Sequence, residues 1–143
     1  MKNDRSIYAA ILIITSLMFF FRVVAQLIQL LDPVQGLPQF EEWQSGVLPY
    51  PVLLSVQILI LILLVKIVRN YITGNVKIGR RRGVIFLFIG CVYFLIMFAR
   101  LICSIFFNKD ESWFFDGTLA AFFHVVLSCF LIAHGHYLYR KKC

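Results

Sequence analysis

Four apolar runs, at about 7–31, 51–67, 83–107 and 118–139, dominate this chain. Each is close to the roughly 20 residues that a helix needs to cross a hydrocarbon core. Inside lipid every backbone N–H and C=O must be satisfied within its own segment, which leaves helices as the only open-ended way to span. Composition agrees, since 61% of the 143 residues are hydrophobic and the mean hydropathy is +0.85, far too apolar for a soluble domain of this size. The expectation is one all-α domain over residues 1–143, with four transmembrane helices in a bundle. The first run is too long for the core of a cleaved signal peptide, and no small-x-small site follows it.

Charge predicts the orientation. Every lysine and arginine except Arg22, Arg100 and Lys109 lies at the N-terminus, between Lys66 and Arg82, or at the C-terminus. Every acidic residue except Asp4 lies in the 32–50 and 108–117 loops. By the positive-inside rule both termini and the central loop face the cytoplasm and the two acidic loops face outward, in a plasma (cell inner) membrane. The net charge of +7 is then mostly a topology signal. The central loop lacks the interleaved aromatics or module of a nucleic-acid binder, so no nucleic-acid partner is expected. Its Arg80-Arg81-Arg82 run fixes topology and is suited to touching anionic head groups, and Gly74-Asn75 suits a tight hairpin turn.

Arg22 and Arg100 break this pattern. Each sits in a membrane-length segment with no acidic residue beside it. An arginine at the centre of a bilayer costs roughly 2.5–3.5 kcal/mol even on the mildest insertion scale. Arg22 lies nine residues before Leu31 and Arg100 seven before Phe107, which places both roughly 10–14 Å below the outer helix ends. Gln57 and His124 fall at the same depth on the second and fourth segments. Arg22, Gln26 and Gln29 follow i, i+4, i+7 on one helical face, which Thr15 extends. Tyr93, Arg100 and Ser104 share a face of the third segment, as His124 and Ser128 do of the fourth. If the faces converge, they enclose an outer-leaflet pocket whose guanidinium forks suit phosphate or carboxylate. The alternatives are that the arginines snorkel to the head groups or pair with Asp32, Glu41, Asp110 or Asp116.

A faint internal repeat organises the chain. Placing Arg22 on Arg100 puts Gln26 on Ser104, and after a gap Glu41 and Trp43 fall on Glu111 and Trp113, with Gly46 and Gly117 matching within one residue. Such a repeat would make two tandem parallel helical hairpins, related by an axis along the membrane normal. In the outer loops, Pro38 suits the start of a short helix and Gly46 its stop, with Phe40 and Trp43 on one side. This segment and Trp113-Phe114-Phe115 are expected to lie in the interface, as a gate over the pocket or as an ordinary aromatic belt.

Cysteine and histidine bound the chemistry. There is no CxxC; Cys91, Cys103 and Cys129 read as small buried packing residues, and Cys143 is a terminal thiol that is not a CaaX box. His124, His134 and His136 share one helix, so a haem would lack a facing histidine within the chain. His134 and His136 point to nearly opposite faces and do not chelate one metal. Beside Tyr137 and Tyr139 they read as cytoplasmic-interface residues. No metal and no cofactor is expected. The chain also lacks the CxxC of vitamin K epoxide reductases, the embedded glutamate of small multidrug exporters, the arginine ladder of voltage sensors and the motif spacing of lipid phosphatases.

Three functions remain open. The first is binding or translocation of an anionic amphiphile, a lipid phosphate or carboxylate, by Arg22, Gln26, Gln57, Arg100, Ser104 and His124. The second is an enzyme on such a lipid, with His124 as catalytic acid or base and the arginines stabilising developing charge; Ser104, Ser128 and Cys103 are its only candidate nucleophiles. The third is an accessory subunit of a larger membrane partner, or a homo-oligomer. The first is the leading reading.

Overall fold

A computed structural model describes residues 2–43, 48–106 and 117–140. It is helical throughout: α1 (Lys2–Leu31), a single 3-10 turn (Phe40–Trp43), α2 (Tyr50–Thr73), α3 (Arg80–Phe106) and α4 (Thr118–Arg140). All four α-helices are long and apolar enough to cross a membrane. Their ends follow local chemistry. Asp4 sits in the first turn of α1, where negative charge meets the positive end of the helix dipole. Pro49 and Pro51 open α2, where a missing N–H costs least. The carbonyls of Gly79 and Gly117 accept the first helical bonds of α3 and α4, from Gly83 N and Ala121 N, each at 2.9 Å.

The expected spans hold, with changed edges. α2 continues past residue 67 to Thr73, because Ile67, Val68, Tyr71 and Ile72 carry the apolar pattern onward. The expected hairpin at Gly74-Asn75 therefore does not form. Gly74 does take a positive φ of 78°, as the left-handed C-cap of α2. Arg5 packs so closely on it that a β-carbon there would lie 2.5 Å from Arg5 Nη1. α3 begins at Arg80, so the Arg80-Arg81-Arg82 run is its first turn.

α4 is the hub. It is the most buried of the four and packs along both α1 and α3, as α1 packs along α2 and α4, whereas α2 approaches only α1 and α3 only α4. Helices α2 and α3 are neighbours in sequence but have no close backbone approach. The tightest seam is α3 on α4, and glycine makes it. A β-carbon at Gly83 would lie 2.5 Å from Tyr139 N, and one at Gly135 would lie 2.6 Å from Leu87 N. Gly90 sits against Ile132, whose backbone N would be 3.0 Å from an added β-carbon. Within lipid, where burial of apolar surface gains little, such backbone proximity is a main source of helix association.

The outer faces are apolar. Phe21, Leu59, Phe88 and Leu95 are all more than half exposed. In water this would be one continuous patch far beyond what soluble monomers show; in a bilayer it is the lipid-facing surface. The core holds Leu12, Phe19, Leu64, Tyr71 and Phe130 between α1, α2 and α4.

Candidate functional site

The i, i+4, i+7 face of α1 is buried. Arg22 is 3% exposed, Gln26 0% and Gln29 7%. On α2 Gln57 is 2% exposed, and its Nε2 donates to Gln26 Oε1 at 3.2 Å, joining the two helices. The other halves of both amides, Gln26 Nε2 and Gln57 Oε1, are buried without a hydrogen-bond partner. Gln29 has a local task instead: its Oε1 accepts from Val34 N at 3.0 Å and fixes the chain leaving α1.

Arg22 is buried, and among the described residues it meets no loop acid. Its Nη2 donates to the backbone carbonyl of Trp43 at 2.8 Å, and its Cζ lies 5.8 Å from the ring centre of Phe123. Asp32, Glu41 and Glu42 are exposed, and among the described residues Arg22 meets no carboxylate. Its Nε is buried without a partner. The buried charge is thus held by a neutral acceptor and a π face.

The 3-10 turn supplies that acceptor, and its tryptophan turns inward. Trp43 is 2% exposed, stacks on Phe123 at 6.1 Å and donates Nε1 to Pro38 O at 3.0 Å. It plugs the end of the bundle rather than lying in an aromatic belt. Phe40 packs edge-on against Tyr50. Gly46 and the aromatic loop with Trp113, Phe114 and Phe115 lie outside the described residues, as do Lys109, Asp110, Glu111 and Asp116.

Arg100 is buried in α3, 2% exposed. His124 on α4 lies within electrostatic reach of both guanidiniums, and its Nδ1 is hydrogen-bonded to the hydroxyl of Tyr93 on α3. The charge of Arg22 also reaches Tyr93. Arg22, Gln26, Gln57, Tyr93, Arg100 and His124 therefore form one neighbourhood drawn from all four helices. The hydroxyls of Ser104 and Ser128 turn back to Leu101 O and Val125 O of their own helices, and Thr15 bonds Ile11 O. Each of these three spends its hydroxyl proton within its own helix and keeps only acceptor lone pairs.

A second polar set lies at the other end of α4, and the sequence did not reveal it. His134 is buried at 8% exposure, with its Nδ1 3.0 Å from the Tyr71 hydroxyl of α2. It faces inward at that end of the bundle, because α4 packs between neighbours and a histidine near its end still meets one. His136 is exposed and pairs with Tyr8 of α1 at 2.5 Å. The cysteines also differ from expectation. Cys91 is exposed and Cys103 only partly covered, because α3 buries little beyond Gly83, Gly90 and Arg100; Cys129 on α4 is also only partly covered, and Cys143 lies outside the described residues. Among the described residues no three histidine, cysteine or acidic groups cluster to hold a metal.

The chain matches no known protein-family model, no curated protein and no solved structure.

Proposed function

We propose that this is an integral membrane protein with both termini inside, which binds an anionic amphiphile, a lipid phosphate or carboxylate, in an outer-leaflet polar layer. The residues assigned to the ligand are Arg22, Gln26, Gln57, Arg100 and His124, with Ser104 at the edge. The topology rests on the separation of basic and acidic loops. A tandem arrangement of two parallel hairpins fits the matching positions of Arg22 and Arg100.

The observation that carries the reading is Arg22. A permanent charge is enclosed with one neutral carbonyl as its hydrogen-bond acceptor, and its Nε is left over. Beside it Gln26 Nε2 and Gln57 Oε1 are also left over. Buried polar atoms without partners are costly and uncommon in native proteins, and a guanidinium with free donors suits an oxyanion. Of the candidate nucleophiles, the Ser104 and Ser128 hydroxyls donate within their own helices, and Cys103 is a free, partly covered thiol.

Native mass spectrometry of the protein purified in mild detergent tests this. The expected result is a retained anionic lipid that is lost in Arg22→Gln and Arg100→Gln variants that still elute as folded protein. Ligand-free wild type, or lipid retained equally by both variants, overturns it. A stoichiometric protein in place of lipid would instead support an accessory subunit.

A further inference from the structure

The helices α2 and α3 leave a gap at the end of the bundle remote from the Trp43 plug, and the gap is a cavity of about 430 Å³. Its wall carries Lys66 and Asn70 one turn apart on α2, Lys77 from the connecting loop, Arg82 from the first turn of α3, and the Tyr71–His134 pair. Phe86 and Leu138 give it an apolar floor. Three cationic residues, all exposed, thus line one concave space with no carboxylate among the lining residues. Asp4, the acidic residue nearest in sequence to the basic N-terminus, is exposed.

We infer that this cleft binds a phosphate monoester. Such a group carries a charge of about −1.5 to −2 at neutral pH and offers three strong acceptor oxygens, which matches a cleft lined by three cationic residues better than a singly charged diester does. Basic pockets between membrane helices are suited to anionic head groups. The negative end of the α2 dipole would oppose an anion here, but Arg5 is packed on Gly74 at that end and offsets it. In the tautomer in which Tyr71 donates to Nδ1, His134 carries its proton on Nε2 and adds a neutral donor to the wall. The apolar floor and the lateral opening between α2 and α3 suit a lipid whose head is the phosphate. A soluble phosphate shares the same chemistry. The site is separate from the Arg22 layer and does not depend on it.

The test uses the full chain in phosphatidylcholine nanodiscs, with phosphatidic acid, phosphatidylglycerol or inorganic phosphate added, and reads bound ligand by native mass spectrometry. Phosphatidic acid is expected to bind at least about tenfold more tightly than phosphatidylglycerol. The double variant Lys66→Gln/Arg82→Gln should weaken it by a similar factor, both in the wild-type chain and in an Arg22→Gln background in which the other layer no longer retains lipid. Lys77→Gln, a milder change on an exposed loop residue, should weaken it by a few-fold and guards against misfolding of the double variant. Inorganic phosphate binding as tightly as phosphatidic acid would assign a soluble ligand to the same cleft. Binding of neither, or equal binding by wild type, the double variant and Lys77→Gln, overturns the inference. Loss in Arg22→Gln alone would mean the lipid sits in the other layer.

Discussion

The hydroxyl of Tyr71 on α2 lies 3.0 Å from Nδ1 of His134 on α4, and the arrangement is repeated twice more along α4. Tyr8 of α1 pairs with His136 and Tyr93 of α3 with His124. Each histidine of the hub helix is therefore tied to a different neighbour. Within a membrane such cross-helix bonds average about 0.6 kcal/mol and reach about 1.7 kcal/mol. For α2, which approaches α4 through side chains only, the Tyr71 bond is one of few links to the hub.

Removing that hydroxyl is expected to loosen α2 selectively. Tyr71→Phe should cost about 1–2 kcal/mol, because it leaves a buried imidazole nitrogen without its partner. Tyr8→Phe, at an exposed pair, should cost less than about 0.5 kcal/mol by the same argument. Reversible unfolding in mixed micelles measures both. A larger loss for Tyr8→Phe than for Tyr71→Phe would refute the ranking.

Arg22 offers a sharper contrast between stability and binding. Replacing it by methionine removes an intramembrane charge worth roughly 2.5–3.5 kcal/mol and orphans the Trp43 carbonyl at a cost of roughly 1–3 kcal/mol. Arg22→Met is thus expected to be at least as stable as wild type while retaining no anionic lipid. A strongly destabilised Arg22→Met would show that the guanidinium serves the fold through its bond to Trp43.

How far the sequence carried is visible in these residues. Span length and apolar content made the four helices legible, and the i, i+4, i+7 spacing of Arg22, Gln26 and Gln29 gave a face that is indeed buried. Depth counting brought Gln57 to the level where it bonds Gln26. What could not be read was which helix is central. Without that, the inward turn of His134 toward Tyr71 cannot be foreseen, Cys91 looks like a core residue, and Trp43 like part of a belt. Spacing along one helix fixes faces, whereas neighbour order depends on contacts such as Gly83 against Tyr139, seen only in three dimensions.

The glycine seam predicts its own sensitivity. Gly83→Ala and Gly135→Ala place a methyl against partner backbone, which cannot swing aside, so each should cost about 1–3 kcal/mol. Gly36→Ala meets nothing within 4 Å and should be close to neutral. Thermal unfolding of the three variants in one detergent checks the order; a neutral Gly83→Ala would mean α3 and α4 sit farther apart than this.

The proposed orientation can be tested without any ligand. Gln35 follows α1 on the acidic side and Ile78 precedes α3 on the basic side, and both are exposed. After the native cysteines are replaced by serine or alanine, a cysteine at either position is open to a membrane-impermeant maleimide only from its own side. With basic segments retained inside, Gln35→Cys should label in intact cells and Ile78→Cys only after permeabilisation. The reverse pattern would put the Arg22 layer in the inner leaflet and the basic cleft outside, where the anionic lipids of the cytoplasmic leaflet would not reach it. Labelling of both positions in intact cells would contradict the single crossing, α2, that separates them and with it the four-span topology.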